Sequence, residues 1–130
     1  MLRAMTRALG LLLVSAVLAS PQSYMKEVVY EVDGTAKYAN LTLTTKDGGT
    51  EQNQVKLPFE LKFFAKLGQP VYLSAQKVKV TRTMLSTPEI LDDGVSGKVH
   101  VLIRISGSLL QEATSDAPYG IATARGIVPE

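Results

Sequence analysis

The sequence predicts an antiparallel β-sandwich of the immunoglobulin-like type, with seven or eight short strands in two stacked sheets. From Lys26 onward apolar residues recur mostly at every second position, which is the period of half-buried strands. Gly, Asp and Pro close these runs at intervals of about eight to twelve residues. An apolar fraction of 45% with 20% charged residues belongs to a chain that can bury a core. A closed barrel is the alternative architecture.

The amino-terminal segment differs from the rest of the chain and predicts a secretory signal. It has a positively charged head, an apolar stretch of twelve residues at 8–19, and small residues at Ala19 and Ser20. Because a helix that spans a bilayer needs about 20 residues, we expect a signal peptide over residues 1–19 instead of a membrane anchor. An uncleaved signal-anchor is the alternative. The sandwich domain is expected over residues 24–130.

The composition excludes several kinds of chemistry. The chain has no Cys, so disulfides, Cys-based zinc sites and thiol catalysis are impossible, and its single histidine, His100, excludes a multi-histidine metal site. Loss of Arg3 and Arg7 with the signal peptide leaves twelve basic residues against twelve acidic ones. Because a chain with balanced charge does not attract a polyanion, no nucleic-acid partner is expected.

Turn signals delimit the strands of the amino-terminal half. The first strand has Val28, Tyr30 and Val32 on one face. The run Asp47-Gly48-Gly49 supplies the positive φ angles of a tight hairpin, so the second and third strands should be antiparallel neighbours. Pro58 cannot donate a hydrogen bond to a sheet and therefore marks the end of the third strand.

The most regular alternation lies in the carboxyl-terminal half, between Val99 and Ile105, and predicts a strand at the centre of a sheet. Gly107 permits a turn into the next strand, and a last strand is expected within residues 119–127. Phe64 is out of phase with its neighbours and is predicted to be exposed.

One segment, from Thr83 to Gly97, does not follow the alternation. Thr87 is suited to cap a helix and Pro88 to its first position, which predicts a single helical turn. The apolar residues of this segment should either form a lid on the core or present a contact surface, and the lid is preferred because clusters beneath long loops are common. These apolar residues are Met84, Leu85, Ile90 and Leu91.

No catalytic, cofactor-binding or metal site is predicted. His100 lies on the outer face of its strand without a nucleophile motif and is expected to be a solvated surface residue. The pair Asp92-Asp93 before Gly94 is ordinary turn composition and has too few companions for a calcium site. An enzyme that uses His100 with Asp92 or Asp93 is therefore the least favoured hypothesis.

Basic residues follow one another along a single predicted strand at Lys77, Lys79 and Arg82. Solvated cations on an edge strand prevent sheets from associating, and this interpretation is preferred. Contact with an anionic head group is the alternative.

Five segments of the chain occur in the order seen in a known family. They are YEVDGTA at 30–36, VKLPF at 55–59, LSAQ at 73–76, IRISG at 103–107 and APYGIATA at 117–124. In order and spacing they resemble the extracytoplasmic domain of the MmpS family, small mycobacterial-type membrane proteins that act as transport accessories. The resemblance implies a non-catalytic β-sandwich that works beside a proton-driven exporter of the resistance-nodulation-division (RND) class, in the export of lipids, glycolipids or siderophores.

Three features depart from that family. Its members usually keep a transmembrane helix before the domain, and many carry a pair of Cys, at whose positions the resemblance places Val101 and Ala124. Joint replacement of both Cys is expected of a domain in which apolar packing has replaced a disulfide. The loop from Met84 to Gly97 is also longer than the family's usual connection.

The leading hypothesis is a non-catalytic accessory module of MmpS type, secreted or periplasmic, which assists an MmpL-type RND transporter and is membrane-associated if the signal segment is uncleaved. The alternative is a free secreted sandwich that binds a small apolar, lipid-like ligand between its sheets or beneath the Met84–Leu91 loop. The candidate contact residues are Met84, Leu85, Ile90, Leu91 and Tyr119. Turn geometry and packing at the sandwich end explain five residues of the resembling segments without a ligand. They are Pro58, Gly107, Pro118, Tyr119 and Gly120.

Overall fold

A computed structural model describes residues 24–130 and confirms the predicted all-β sandwich. The predicted signal segment, residues 1–19, lies outside the described residues. The strands are β1 (Met25–Gly34), β2 (Tyr38–Thr44), β3 (Thr50–Lys56), β4 (Phe59–Lys66), β5 (Pro70–Lys77), β6 (Lys79–Met84), β7 (Thr87–Asp93), β8 (Val99–Ile105), β9 (Ser108–Ser115) and β10 (Ile121–Ile127). Between residues 24 and 130 there is no helix with the length and apolarity that crossing a bilayer requires.

The strands form two four-stranded antiparallel sheets and a separate two-stranded one. The first sheet has the order β4-β1-β8-β9 and the second β10-β5-β2-β3, while β6 pairs with β7. The prediction that β8 is central is confirmed, since β1 and β9 flank it. Residues 24–130 contain ten strands instead of the predicted seven or eight, and β7 is the strand that the alternation did not indicate.

The core lies between the two large sheets and is built from their alternating inward residues. Tyr30 is its largest fully buried side chain. The Tyr30 and Phe63 rings pack in a T-shaped arrangement with centroids 5.1 Å apart, and the Tyr30 hydroxyl lies 2.7 Å from Thr44 Oγ1. This partner matters because a buried phenol hydroxyl without a hydrogen bond would destabilise the fold. Other fully buried members include Val28, Val32, Leu41, Leu43, Val71, Leu73, Val99, Val101, Ile103 and Val128.

Val101 and Ala124, the positions at which the resemblance implies a Cys pair, are both completely buried in this core. Val101 belongs to β8 in the first sheet and Ala124 to β10 in the second, and these two strands contact each other across the core. Apolar side chains packed in the core therefore occupy both positions.

Two hairpin predictions are confirmed. β2 and β3 pair antiparallel through a turn in which Gly48 has a φ of 83°. β8 and β9 are joined at Ser106 and Gly107, whose φ angles are 50° and 84°. Phe64 is exposed on the outside of the first sheet, as its phase predicted.

The predicted helical turn at Thr87–Glu89 is wrong. The segment is the start of β7, in which Thr87 pairs with Met84 and Pro88 with Thr83. Hydrogen-bonded and non-hydrogen-bonded pairs alternate in an antiparallel ladder, and the pair next to a two-residue turn is hydrogen-bonded. Pro88 therefore falls in a non-hydrogen-bonded pair, where the N–H that it lacks is not needed. Strand pairing overrides the local helix-start signal.

The prediction that Lys77 is a solvated edge cation is also wrong. Lys77 is 1% exposed, while Lys79 and Arg82 are exposed as expected. Lys77 continues the inward alternation of Val71, Leu73 and Ala75 along β5, so its side chain enters the end of the core.

Candidate functional site

The hairpin of β6 and β7, residues Lys79–Asp93, is called here the arm. It belongs to neither large sheet, and every residue from Thr81 to Ile90 is exposed. The lid prediction is therefore wrong: Leu85 is 98% exposed, Ile90 59% and Met84 53%. Of the two interpretations of these apolar residues, the contact surface is the one that the geometry favours.

The tip of the arm is a two-residue turn at Leu85 and Ser86. Their φ angles are 50° and 68°, in the left-handed region that such hairpin turns require and that Gly, Asn and Asp adopt most readily. A leucine in this conformation costs roughly 1 kcal/mol or more because Cβ crowds the following carbonyl oxygen. Leu85 thus combines an unfavourable backbone with an almost fully hydrated apolar side chain, and neither contributes to folding.

Apolar side chains lie on both sides of the arm. Cross-strand partners share a face, so Met84 lies on the face of Arg82 and Glu89, whose Nε and Oε1 are 3.0 Å apart. Ile90 and Pro88 lie on the opposite face. Because the ion pair is about half exposed, it adds little stability.

Asp92 anchors the arm to the sandwich. This buried carboxylate accepts hydrogen bonds from the backbone N–H groups of Lys37 at 2.8 Å and Tyr38 at 3.0 Å, where β2 begins. Its other oxygen accepts from the N–H of Gly94 at 3.1 Å. Asp92 is therefore not only a turn residue, because its carboxylate connects the carboxyl end of the arm to the edge of the core.

Lys77 anchors the loop that follows the arm. Its ammonium donates hydrogen bonds to the carbonyl oxygens of Val95 at 2.7 Å and Gly97 at 2.6 Å. A third, longer bond of 3.3 Å reaches the carbonyl oxygen of Asp116, before the last strand. Three carbonyls match the three donors of an ammonium group, which explains how a lysine can be buried here.

Tyr119 lies beside the base of the arm. Its N–H donates to the carbonyl oxygen of Gly94 at 2.7 Å. A Cβ added to Gly94 would lie 2.7 Å from Tyr119 Cε1 and 2.8 Å from the backbone nitrogen of Lys79. The structure therefore places Tyr119, which is half exposed, against the base and away from the tip, where Leu85 lies.

Asp93 organises the loop between the arm and β8. It accepts hydrogen bonds from the backbone N–H and hydroxyl of Ser96 and from the N–H of Val95, all at 2.8 Å. These hydrogen bonds, those of Ser96 first, lower the pKa of Asp93 to about 2.

A cleft of about 280 Å³ separates the arm from the turn between β1 and β2. Leu91 and Ile90 contribute its apolar part, whereas Lys37, Asp92 and Asp93 are among its polar members. The cleft thus brings Leu91 near the base, apart from the tip residues.

His100 lies on the outer face of the first sheet, as predicted, but both ring nitrogens have partners. Nε2 is 2.7 Å from Glu112 Oε1 and Nδ1 is 3.0 Å from Asp33 Oδ1. The hydrogen bond to Glu112 raises the pKa of His100, partial burial opposes this, and the bond to Asp33 raises it further. The pairing of His100 with Asp92 or Asp93 is not what the structure shows, since those carboxylates accept backbone N–H groups at the base of the arm.

Neither a protein-family model nor a curated protein matches this chain. In the described part, residues 24–130, no three His, Cys, Asp or Glu side chains are grouped so that they could hold a metal ion.

The sequence pattern indicates the tip residues as contact candidates, whereas the two anchors of the arm, Lys77 and Asp92, were not predicted. A lysine at the end of an inward-facing alternation, as at 71–77, is the signal that could have indicated the burial of Lys77. No comparable signal marks Asp92, because its partners at 37 and 38 are distant in sequence.

Proposed function

We propose that this protein is a non-catalytic extracytoplasmic accessory module of MmpS type, which binds a membrane transporter through the arm. The observation that carries this proposal is Leu85, an apolar side chain that is 98% exposed at a turn with a φ of 50°. Folding gains nothing from either feature. A residue that is unfavourable in the free protein is typical of a position that is selected for binding.

The distribution of apolar residues favours insertion into a cleft over docking on a flat surface. Met84 and Ile90 lie on opposite faces of the arm, and Leu85 lies at its tip. A flat partner would cover only one of these faces. A groove that surrounds the arm would bury all three residues. Leu85 would contribute about 1.5–3 kcal/mol, and Met84 and Ile90, which are already partly covered, about half as much each.

The base of the arm is suited to hold it in a defined direction. Asp92 connects the arm to β2, and Lys77 connects the following loop to the end of β5. A positioned hairpin loses less conformational entropy on binding than a flexible loop does.

The class of partner is taken from the resemblance. The ordered segments around Tyr30, Leu73 and Tyr119 are similar to those of transport accessories that act beside MmpL-type exporters of the RND class. We infer that the partner offers the groove on its extracytoplasmic part, and that its cargo is lipid-like or siderophore-like. The predicted signal segment would bring the sandwich to the same side of the membrane.

The alternative function, a free sandwich that binds a small apolar ligand, receives less support from the arm. The cleft beneath it is small, about 280 Å³, and includes Lys37, Asp92 and Asp93. Apolar ligands favour pockets that are lined mainly by apolar side chains. The tip residues also point to a partner outside the molecule, because Met84 and Leu85 are exposed instead of covering the sandwich.

The proposal is tested by site-specific crosslinking, for which the absence of native Cys is an advantage. Leu85→Cys in the full chain is labelled in intact cells of the source with a thiol-reactive photo-crosslinker. The expected product is an adduct with one multi-span transporter, identified by mass spectrometry. Ile127→Cys is the matched control, since Ile127 is also apolar and 60% exposed but lies on β10.

Equal labelling from positions 85 and 127, or adducts with soluble proteins only, would contradict the arm as the binding element. Leu85→Asp supplies a second measurement. It should abolish co-purification with the transporter while the circular-dichroism spectrum stays that of a β-protein. Retained co-purification would contradict the proposal.

A further inference from the structure

The outer face of the second sheet carries two adjacent rows of uncharged side chains, all of them polar except one isoleucine. The strand register places Gln52, Thr42, Ser74 and Thr123 in one row across four strands. The neighbouring row consists of Gln54, Asn40, Gln76 and Ile121. Since neighbouring strands are about 4.8 Å apart, each row extends about 14 Å across the sheet. We call this surface the polar face.

The polar face forms an open depression with a volume of about 510 Å³. None of its lining residues carries a formal charge, although a fifth of the whole sequence is charged. Tyr72 and Ile121 add apolar surface beside the amides and hydroxyls. The surface thus offers uncharged hydrogen-bonding groups together with some apolar area.

Most of these polar groups have no partner within the described residues. The side chains of Asn40, Gln52 and Gln54 make no hydrogen bond within residues 24–130, and Gln76 makes a single long one of 3.4 Å to the carbonyl oxygen of Tyr119. Each amide offers both donors and acceptors, and each hydroxyl does the same.

Ser74 provides an independent observation. It lines the depression within the row that runs from Gln52 to Thr123, it is only 8% exposed, and its hydroxyl has no hydrogen-bond partner in the described part of the chain. A buried polar group without a partner is unfavourable, so a ligand or ordered water must satisfy it. Ser74 faces outward between Thr42 and Thr123, and it lines the depression.

We propose that the polar face binds a neutral oligosaccharide. A sugar chain presents many hydroxyl groups that both donate and accept, it carries no charge, and its C–H faces can contact Tyr72 and Ile121. These properties complement the two rows. This site is distinct from the arm and does not depend on the proposed transporter contact.

Other occupants fit the surface less well. A protein partner would be expected to meet an interface core that is apolar and aromatic, whereas amides and hydroxyls dominate here. An anionic ligand would require cations, and the depression has none. A lipid tail would leave the unpaired amides of Asn40 and Gln54 without hydrogen bonds.

The test is a titration of the isotope-labelled full chain, recovered from the extracytoplasmic fraction, with cellohexaose, maltohexaose, mannohexaose and chitohexaose. Backbone amide shifts are followed by NMR up to millimolar sugar concentration, with hexagalacturonate as the charged comparator. At least one neutral probe should give saturable shifts on β2, β5 and β3. The charged probe should bind at least tenfold more weakly.

Two substitutions and a matched control locate the site. Asn40→Ala and Thr42→Ala should each weaken binding of the best probe about five- to tenfold, the usual effect of one lost hydrogen bond. Thr114→Ala, on the outer face of the first sheet, should leave it unchanged. Absence of saturable shifts with all four neutral probes, saturable shifts outside the polar face, or shifts that depend on protein concentration alone would overturn the proposal.

Discussion

Lys77 Nζ lies 2.6 Å from the carbonyl oxygen of Gly97, and this contact connects the end of the core to the loop that follows the arm. Lys77 is almost fully buried, so its charge is stabilised by the carbonyl groups that surround it instead of by water. The loop beside the base of the arm therefore depends on a lysine of β5 that lies outside the arm itself.

Lys77→Met should destabilise the fold by about 2–4 kcal/mol. The substitution keeps most of the apolar stem but removes the charged donor that the carbonyl oxygens of Val95 and Gly97 share. Chemical denaturation measures the free energy of unfolding. Lys79→Met, at an exposed neighbouring position, is the control and should change this free energy by less than about 0.5 kcal/mol. Similar effects of the two substitutions would show that the buried ammonium is unimportant.

Gly94→Ala should be much more harmful than Gly107→Ala. Both glycines have left-handed backbones, with φ angles of 74° and 84°. An added Cβ at Gly94 would meet the Tyr119 ring and the backbone of Lys79, whereas at Gly107 it would meet nothing within 4 Å. Thermal unfolding should show that the free energy of unfolding falls by about 1 kcal/mol for Gly107→Ala and by at least twice as much for Gly94→Ala. Equal losses would mean that conformation alone, and no close contact, requires glycine at 94.

His100 should titrate with a pKa above 6.5, because its hydrogen bond to Glu112 favours the charged ring. A folded-state pKa above the unfolded value contributes stability that is fully present below pH 6.5 and is lost as the pH rises through the folded pKa. NMR titration of the ring protons measures the pKa directly. Glu112→Gln should lower the pKa of His100 and weaken the dependence of stability on pH. Glu51→Gln, on β3, is the control and should change neither quantity. An unchanged His100 pKa in Glu112→Gln would contradict the assigned cause.

Leu85→Asn should stabilise the free protein by about 0.5–1 kcal/mol. Asn tolerates the left-handed conformation of this turn, and the exposed position gives leucine no packing to lose. Chemical denaturation measures the gain. The same variant should bind the transporter at least tenfold more weakly, since it removes the apolar tip. A less stable variant would mean that Leu85 contributes to folding, and the main argument for its role in binding would fail.

Local sequence features predicted much of the sandwich. The alternation at Val99–Ile105 identified a central strand because a residue period of two can bury one face only in a sheet. Glycines at 48 and 107 identified two hairpins, since few other residues adopt their φ angles readily. Each of these signals depends on the residue and its immediate neighbours.

The predictions failed where distant residues determine the outcome. Thr87 and Pro88 carry a valid helix-start signal, but pairing with β6 places them in a strand. Asp92 was interpreted as part of a turn, although its partners at Lys37 and Tyr38 are more than fifty residues away. The sequence did not predict the polar face, because the register of four strands brings the residues of its two rows together.

The sequence by itself determined that the chain forms sheets, where its principal turns lie, and that thiol chemistry is excluded, since these depend on residue type and short-range spacing. Only the tertiary structure decided that the irregular segment projects as an arm, that Lys77 is buried and that uncharged side chains collect on one outer face. The physical reason is that burial and hydrogen-bond partners belong to pairs of residues far apart in the chain, and folding alone brings those pairs together.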